Sequence, residues 1–111
     1  MIPEVRFKEG ISLKGLQPQT VLGIQVAAGV FARFGLVLTI TSLNDGEHMD
    51  GSKHYDGLAF DCRTWDPEAD PEWTQLSEEV KWDMRNALSQ ALGPEYDVLV
   101  KPTHIHVEYD A

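Results

Sequence analysis

The feature that most constrains this chain is a strict two-residue alternation near its end, "HIHVEY", residues 104–109. Successive side chains of a β-strand point to opposite faces of the sheet, so His104, His106 and Glu108 share one face while Ile105 and Val107 share the other. "LAFDCR", residues 58–63, alternates in the same way, with Ala59, Asp61 and Arg63 on one face and Leu58, Phe60 and Cys62 on the other. A sheet holding both strands side by side would bury an apolar face and gather two imidazoles, carboxylates and a guanidinium on its polar face.

The other segments read as the elements that complete such a sheet. "LQPQTVLGIQVAAGVFARFG" is a helix entered at Pro18 and closed at Gly35, with Val21, Ile24, Ala28 and Phe31 at helical spacing and an apolar character that makes it central. What precedes it reads as an irregular lead. "LVLTITS" suits a strand, being rich in β-branched residues and bounded by glycine and by "NDG". Asp70 and Pro71 form an N-cap and first-turn pair for a second helix whose buried stripe is Leu76, Val80, Met84, Ala87, Leu88 and Ala91. Gly93-Pro94 ends it, and "YDVLV" and "HIHVEY" form a hairpin across Lys101-Pro102-Thr103. The expected class is α+β, in the order α, β, β, α, β, β, with a small, mostly antiparallel sheet packed with two main helices.

A length of 111 residues suits one domain, 1–111, with one core. The net charge of -9 argues against nucleic acid, whose phosphates are held by Lys and Arg, and against anionic membrane surfaces. No run approaches the roughly 20 apolar residues that span a bilayer. The start, "MIPEVRFKEG", has no secretory pattern, so synthesis in the cytoplasm is expected. The single Cys62 has no partner for an internal disulfide and reads as a small buried hydrophobe.

If the two alternating strands are neighbours, Asp61 joins His104 and His106, and His54 can close over them from the preceding loop. Catalytic zinc sites take three ligands from His and carboxylate and keep a fourth position for water, which this set satisfies without a thiol. The residues alone leave a second reading open, in which the histidines of a strand face are simply solvated or hydrogen-bonded.

"SKHYDGLAFD" has the pattern Ser-x-His-x-x-Gly-x-Ala-x-Asp, and with "HIH" downstream it resembles the zinc peptidoglycan peptidases that include the D-Ala-D-Ala carboxypeptidases and the penicillin-insensitive murein endopeptidases. Five fixed identities arise by chance on the order of once in a million start positions. The resemblance runs from about Leu16 to Tyr109, includes Thr41 and Ser42 before the loop, and looks like that of small phage-encoded members. It implies a Hedgehog/DD-peptidase-like zinc fold, one zinc per chain held by His54, Asp61 and His106, and His104 as the catalytic partner of a metal-activated water. The implied reaction is hydrolysis of peptide bonds in peptidoglycan stem peptides, of carboxypeptidase or endopeptidase type, by an endolysin-like enzyme reaching the cell wall after release or virion delivery. The alternative is a virion, assembly or wall-binding protein that keeps the zinc fold without turnover.

There are two departures from the pattern. Some relatives carry Glu or Asp three residues before the last ligand, where this chain has Thr103. Many carry an arginine between the "TS" and the Ser-x-His motif, and this chain has none there, which leaves Arg63 as the nearest cation for a peptide carboxylate. Ser52 and His48 are further substrate-side candidates and Glu108 a support for a ligand. Trp65 and Trp73 flank an acidic loop, where Trp65 can wall a groove; Trp73 and Trp82 read as helix-packing residues. The loop's carboxylates read as solvated, with weak calcium binding as the alternative.

Overall fold

The computed structural model describes residues 2–43, 56–65 and 75–110. Along the chain run β1 (Val5–Phe7), α1 (Pro18–Arg33), β2 (Leu38–Ser42), β3 (Ala59–Arg63), α2 (Glu78–Leu92), β4 (Tyr96–Val100) and β5 (His104–Tyr109). The strands make one five-stranded sheet in the order β1-β2-β3-β5-β4. β1 runs parallel to β2, and the β2–β3, β3–β5 and β4–β5 pairs are antiparallel. The domain is thus α+β with a mixed, mostly antiparallel sheet.

β1 corrects the expectation of an irregular lead. Three residues are too few to show a period; they become a strand because Val5 and Phe7 pair with Leu38 and Ile40. The crossover through α2 carries the chain to the far edge as β4, and the hairpin brings β5 back between β3 and β4. The two alternating segments therefore meet although the paired residues Cys62 and Ile105 are 43 positions apart in the chain.

Both helices cover the same face of the sheet. Ile24, Ala27, Ala28 and Phe31 of α1, Met84 and Leu88 of α2, and Leu38, Ile40, Phe60, Cys62, Val98, Ile105 and Val107 of the strands form one buried cluster. Cys62 is fully buried, and burial, then the nearby Asp61 charge, pushes its thiol well above the ordinary range. Val21 departs from the expected α1 stripe and is exposed, because the buried line runs Thr20, Ile24, Ala27, Ala28, Phe31. Thr20 can occupy that line because its hydroxyl donates to the Gly57 carbonyl at 2.7 Å.

α2 starts later than expected, at Glu78, with the Ser77 hydroxyl accepting from Val80 N at 3.2 Å and Glu78 and Glu79 in the first turn. Asp70 and Pro71 lie outside the described residues. Met84 and Leu88 are buried as expected, whereas Ala91 is exposed and Leu92 packs instead. Trp82 is also turned outward, with 51% of its surface exposed, so it does not pack the helix. The helix ends at Gly93, whose φ of 93° is open to glycine at little cost.

One tie positions the chain for β3. The Gly57 carbonyl accepts from Gln17 N at 3.1 Å as well as from the Thr20 hydroxyl, so the start of α1 grips the turn that leads into β3. Gly57 has φ +72°, and a Cβ there would collide with the Gly15 carbonyl oxygen. Gly57→Ala is therefore expected to lower the unfolding free energy by about 2 kcal/mol or more, and Thr20→Val by about 1 kcal/mol. Urea unfolding followed by circular dichroism checks both, and an unchanged midpoint for Gly57→Ala would refute the assigned role.

Candidate functional site

The β3–β5 register sets the polar face opposite the helices. Asp61 pairs with His106, Arg63 with His104 and Ala59 with Glu108. Side chains directly across antiparallel strands are neighbours, so the alternation in the sequence becomes contact. His106 Nδ1 lies 2.9 Å from Asp61 Oδ1, and its Nε2 lies 2.9 Å from Glu108 Oε1. His104 Nε2 stands 3.8 Å from the other Asp61 oxygen, and its Nδ1 is 3.3 Å from the Thr103 hydroxyl.

Asp61 is only 8% exposed. A carboxylate so enclosed requires partners, and His106 is the closest of those described here. Burial pushes the His106 imidazole down, but the hydrogen bonds to Asp61 and Glu108, reinforced by their charges, outweigh it and leave the pKa above the ordinary value. With a carboxylate at each nitrogen the protonated ring donates twice.

On the other side of β3 a bulge interrupts β2. Ile40 is opposite Cys62 and Ser42 opposite Asp61, so Thr41 is the extra residue. Thr41 lines a cleft of about 310 Å3 together with Lys8, Arg63, Trp65, Thr103 and His104. The Arg63 guanidinium carbon sits 4.0 Å from the centroid of the Trp65 ring, a cation–π contact that holds both side chains against the cleft. Trp65 thus lines a groove as its sequence position suggested. Next to it, the Thr64 hydroxyl donates to Gln75 Oε1 at 2.6 Å and Leu76 N donates to the Thr64 carbonyl at 2.8 Å, pinning the end of β3 to the lead into α2.

The structure therefore brings together Asp61, His104, His106, Glu108 and Arg63. His54, His48 and Ser52, with Trp73 and the acidic loop, lie outside the described residues. Sequence reasoning missed Lys8, which reaches the cleft only because β1 joins the sheet. It also missed Lys81, a charged residue in the helix stripe that is 2% exposed. Its ammonium donates to the Pro102 carbonyl at 3.0 Å and pairs with Glu78 at 3.4 Å. The sequence signal was the apolar period of α2, on which position 81 falls between Val80 and Met84.

A further cluster became visible only with the β4–β5 register, which sets Asp97 opposite Glu108. Among the described residues, Asp97, Glu108 and Asp110 place one ligand oxygen each within 4.8 Å of one another and could hold a metal ion.

No family model matches this chain, no curated protein matches it, and no solved structure matches it.

Lys81 fixes the turn that presents His104, because Lys101 N, on the other side of Pro102, donates to the His104 carbonyl at 2.8 Å. Lys81→Met should faster-exchange the Lys101 amide and lower stability by about 1–3 kcal/mol. Hydrogen exchange read by NMR tests this, and unchanged protection at Lys101 would show that the turn stands without the lysine.

Proposed function

We propose that the chain is a zinc-dependent peptidase acting on the peptide stems of peptidoglycan. The observation that carries the reading is the adjacent, in-register pair Asp61 and His106, with His104 beside it on the same polar face. Asp61 and His106 would hold zinc together with His54, the third ligand that the resemblance supplies.

The donor set fits the metal. Neutral imidazole and carboxylate are zinc ligands, and the 2.9 Å hydrogen bond between His106 Nδ1 and Asp61 Oδ1 shows that the two donor atoms already face one another. Were His106 to hold the metal through Nδ1, its Nε2–H would be left to donate to Glu108 Oε1, 2.9 Å away, a carboxylate support of the kind that fixes ring orientation in zinc sites. Glu108 is thereby a positioning residue.

When bound, zinc supplies Lewis acidity toward water and toward a substrate carbonyl. The chain's own contribution is the imidazole of His104, whose Nε2 faces the Asp61 carboxylate across 3.8 Å and whose ring lines the cleft. From there it accepts a proton at Nε2 or stabilises charge that develops on the substrate oxygen. Thr103, in place of a carboxylate three residues before His106, stands 3.3 Å from His104 Nδ1 and orients the ring instead of acting as a base. The setting is a cell wall reached after release or virion delivery.

His106→Ala is expected to remove bound zinc, and Glu108→Ala to weaken zinc binding by about 10–100-fold. His104→Ala should keep zinc and abolish turnover. Mass spectrometry of metal content, on protein purified without added metal, and mass analysis of purified muropeptides after incubation test these expectations. About one zinc per chain with a defined cleavage supports the peptidase. Zinc without cleavage favours a wall-binding or virion protein, and no zinc overturns the reading.

A further inference from the structure

The two edges of the sheet are built differently. β1 is three residues long, whereas β4, at the other edge, is a regular five-residue strand that pairs with β5 without a bulge. Its inner run is Val98-Leu99-Val100, with neither proline nor charge. Edge strands are ordinarily blunted by shortness, bulges, prolines or charges, because their outward N–H and C=O groups are a template for a further strand. Among the described residues no strand covers β4.

The register fixes which groups this edge offers. Lys101 N donates to the His104 carbonyl and Asp110 N to the Glu95 carbonyl, so the odd-numbered residues of β4 exchange hydrogen bonds with β5. Tyr96, Val98 and Val100 therefore turn their backbone groups outward. Two contacts agree with this: Tyr96 N returns to the Gly93 carbonyl, and the Val98 carbonyl accepts from Arg85 Nε at 3.1 Å. A carbonyl oxygen has two lone pairs, so Val98 can accept once more beside Arg85.

The side chains say which strand fits. Residues 97–101 read Asp-Val-Leu-Val-Lys, and an antiparallel copy of the same segment reads Lys-Val-Leu-Val-Asp. Set side by side about a two-fold axis, they place Leu99 opposite Leu99, Val98 opposite Val100 and, at both ends, Asp97 opposite Lys101. Val98 and Val100 are then the hydrogen-bonded pairs, in keeping with the outward direction of their backbone groups. Leu99 has 44% of its surface exposed, and Asp97 and Lys101 are exposed and form no ion pair among the described residues. Asp97 also belongs, with Glu108 and Asp110, to the group whose oxygens lie within 4.8 Å of one another, and Lys101 of a second copy brings a cation to it.

We propose that β4 is the interface of a homodimer in which two copies pair antiparallel through residues 97–101 and join their sheets into one. The pairing needs neither a metal nor the peptidase reading. Because Leu99 is opposite His106, the axis passes one strand away from the polar cluster, and the clusters of the two copies face the same side of the joined sheet.

Sedimentation equilibrium of the full chain from about 1 μM to 1 mM tests this, and a monomer–dimer equilibrium is expected within that range. Asp97→Lys and Lys101→Asp, both at exposed positions, should each weaken dimerisation by about tenfold, and the double exchange should restore it to within about threefold. General repulsion between acidic chains predicts the opposite for Asp97→Lys, which reduces the net charge of -9 and would then favour association. Hydrogen exchange read by NMR locates the contact: the Val98 and Val100 amides should slow as concentration rises. A chain monomeric throughout the range would overturn the assignment, and if Arg85→Ala then dimerises, Arg85 is a guard of the edge instead. A dimer indifferent to the charge exchanges, a double exchange no better than the single ones, or unprotected Val98 and Val100 amides would overturn it equally.

Discussion

The register between β3 and β5 is the constraint on which the rest of the molecule depends. Pairing Asp61 with His106 also pairs Phe60 with Val107 and Cys62 with Ile105, so one set of backbone hydrogen bonds assembles the polar cluster and the centre of the core together. A slip of one residue would turn the carboxylate and imidazole toward the helices and Phe60 toward the polar face. The free energy of the apolar face, at about 25 cal/mol per Å2 buried, therefore holds the polar groups in place. The enclosed carboxylate needs no separate scaffold.

Other contacts guard the ends of those strands. The start of α1 holds the Gly57 turn ahead of β3, Thr64 and Gln75 hold its exit, and Lys81 holds the turn ahead of β5. Each joins the helix layer, or the approach to it, to a point within three residues of the ends of β3 or β5. The polar cluster is thereby supported from the opposite side of the sheet, and the rotamers of Asp61 and His106 are further locked by Glu108.

Much of this was legible in the sequence because it rests on local periodicity. The alternations at 58–63 and 104–109, Pro18 at the entry of α1 and Gly93 at the end of α2 state their structural roles directly. Features set by distant pairing were hidden. The three residues of β1 carry no period of their own, and Lys8 at the cleft follows from that strand. Lys81 reads as a surface lysine until the Pro102 carbonyl is seen to meet it. Val21 and Trp82 misled because apolar character on a helix does not say which of two adjacent lines faces the core; the Thr20 hydroxyl bond decided the first. The motif that carries His54 belongs to the resemblance, and its geometry lies outside the described residues.

The strands that meet at the cleft are unequally held. Arg63 and His104 are opposite partners in the middle of the sheet, so their spacing is a fixed constant of the backbone. Lys8, by contrast, follows a three-residue strand that, among the described residues, is an edge paired on one side only. Changes to a handful of residues at the amino-terminal margin can therefore alter one wall of the cleft, while the His104 imidazole and the neighbouring Arg63 guanidinium stay where they are. The architecture divides the work between an adjustable rim and an invariant floor.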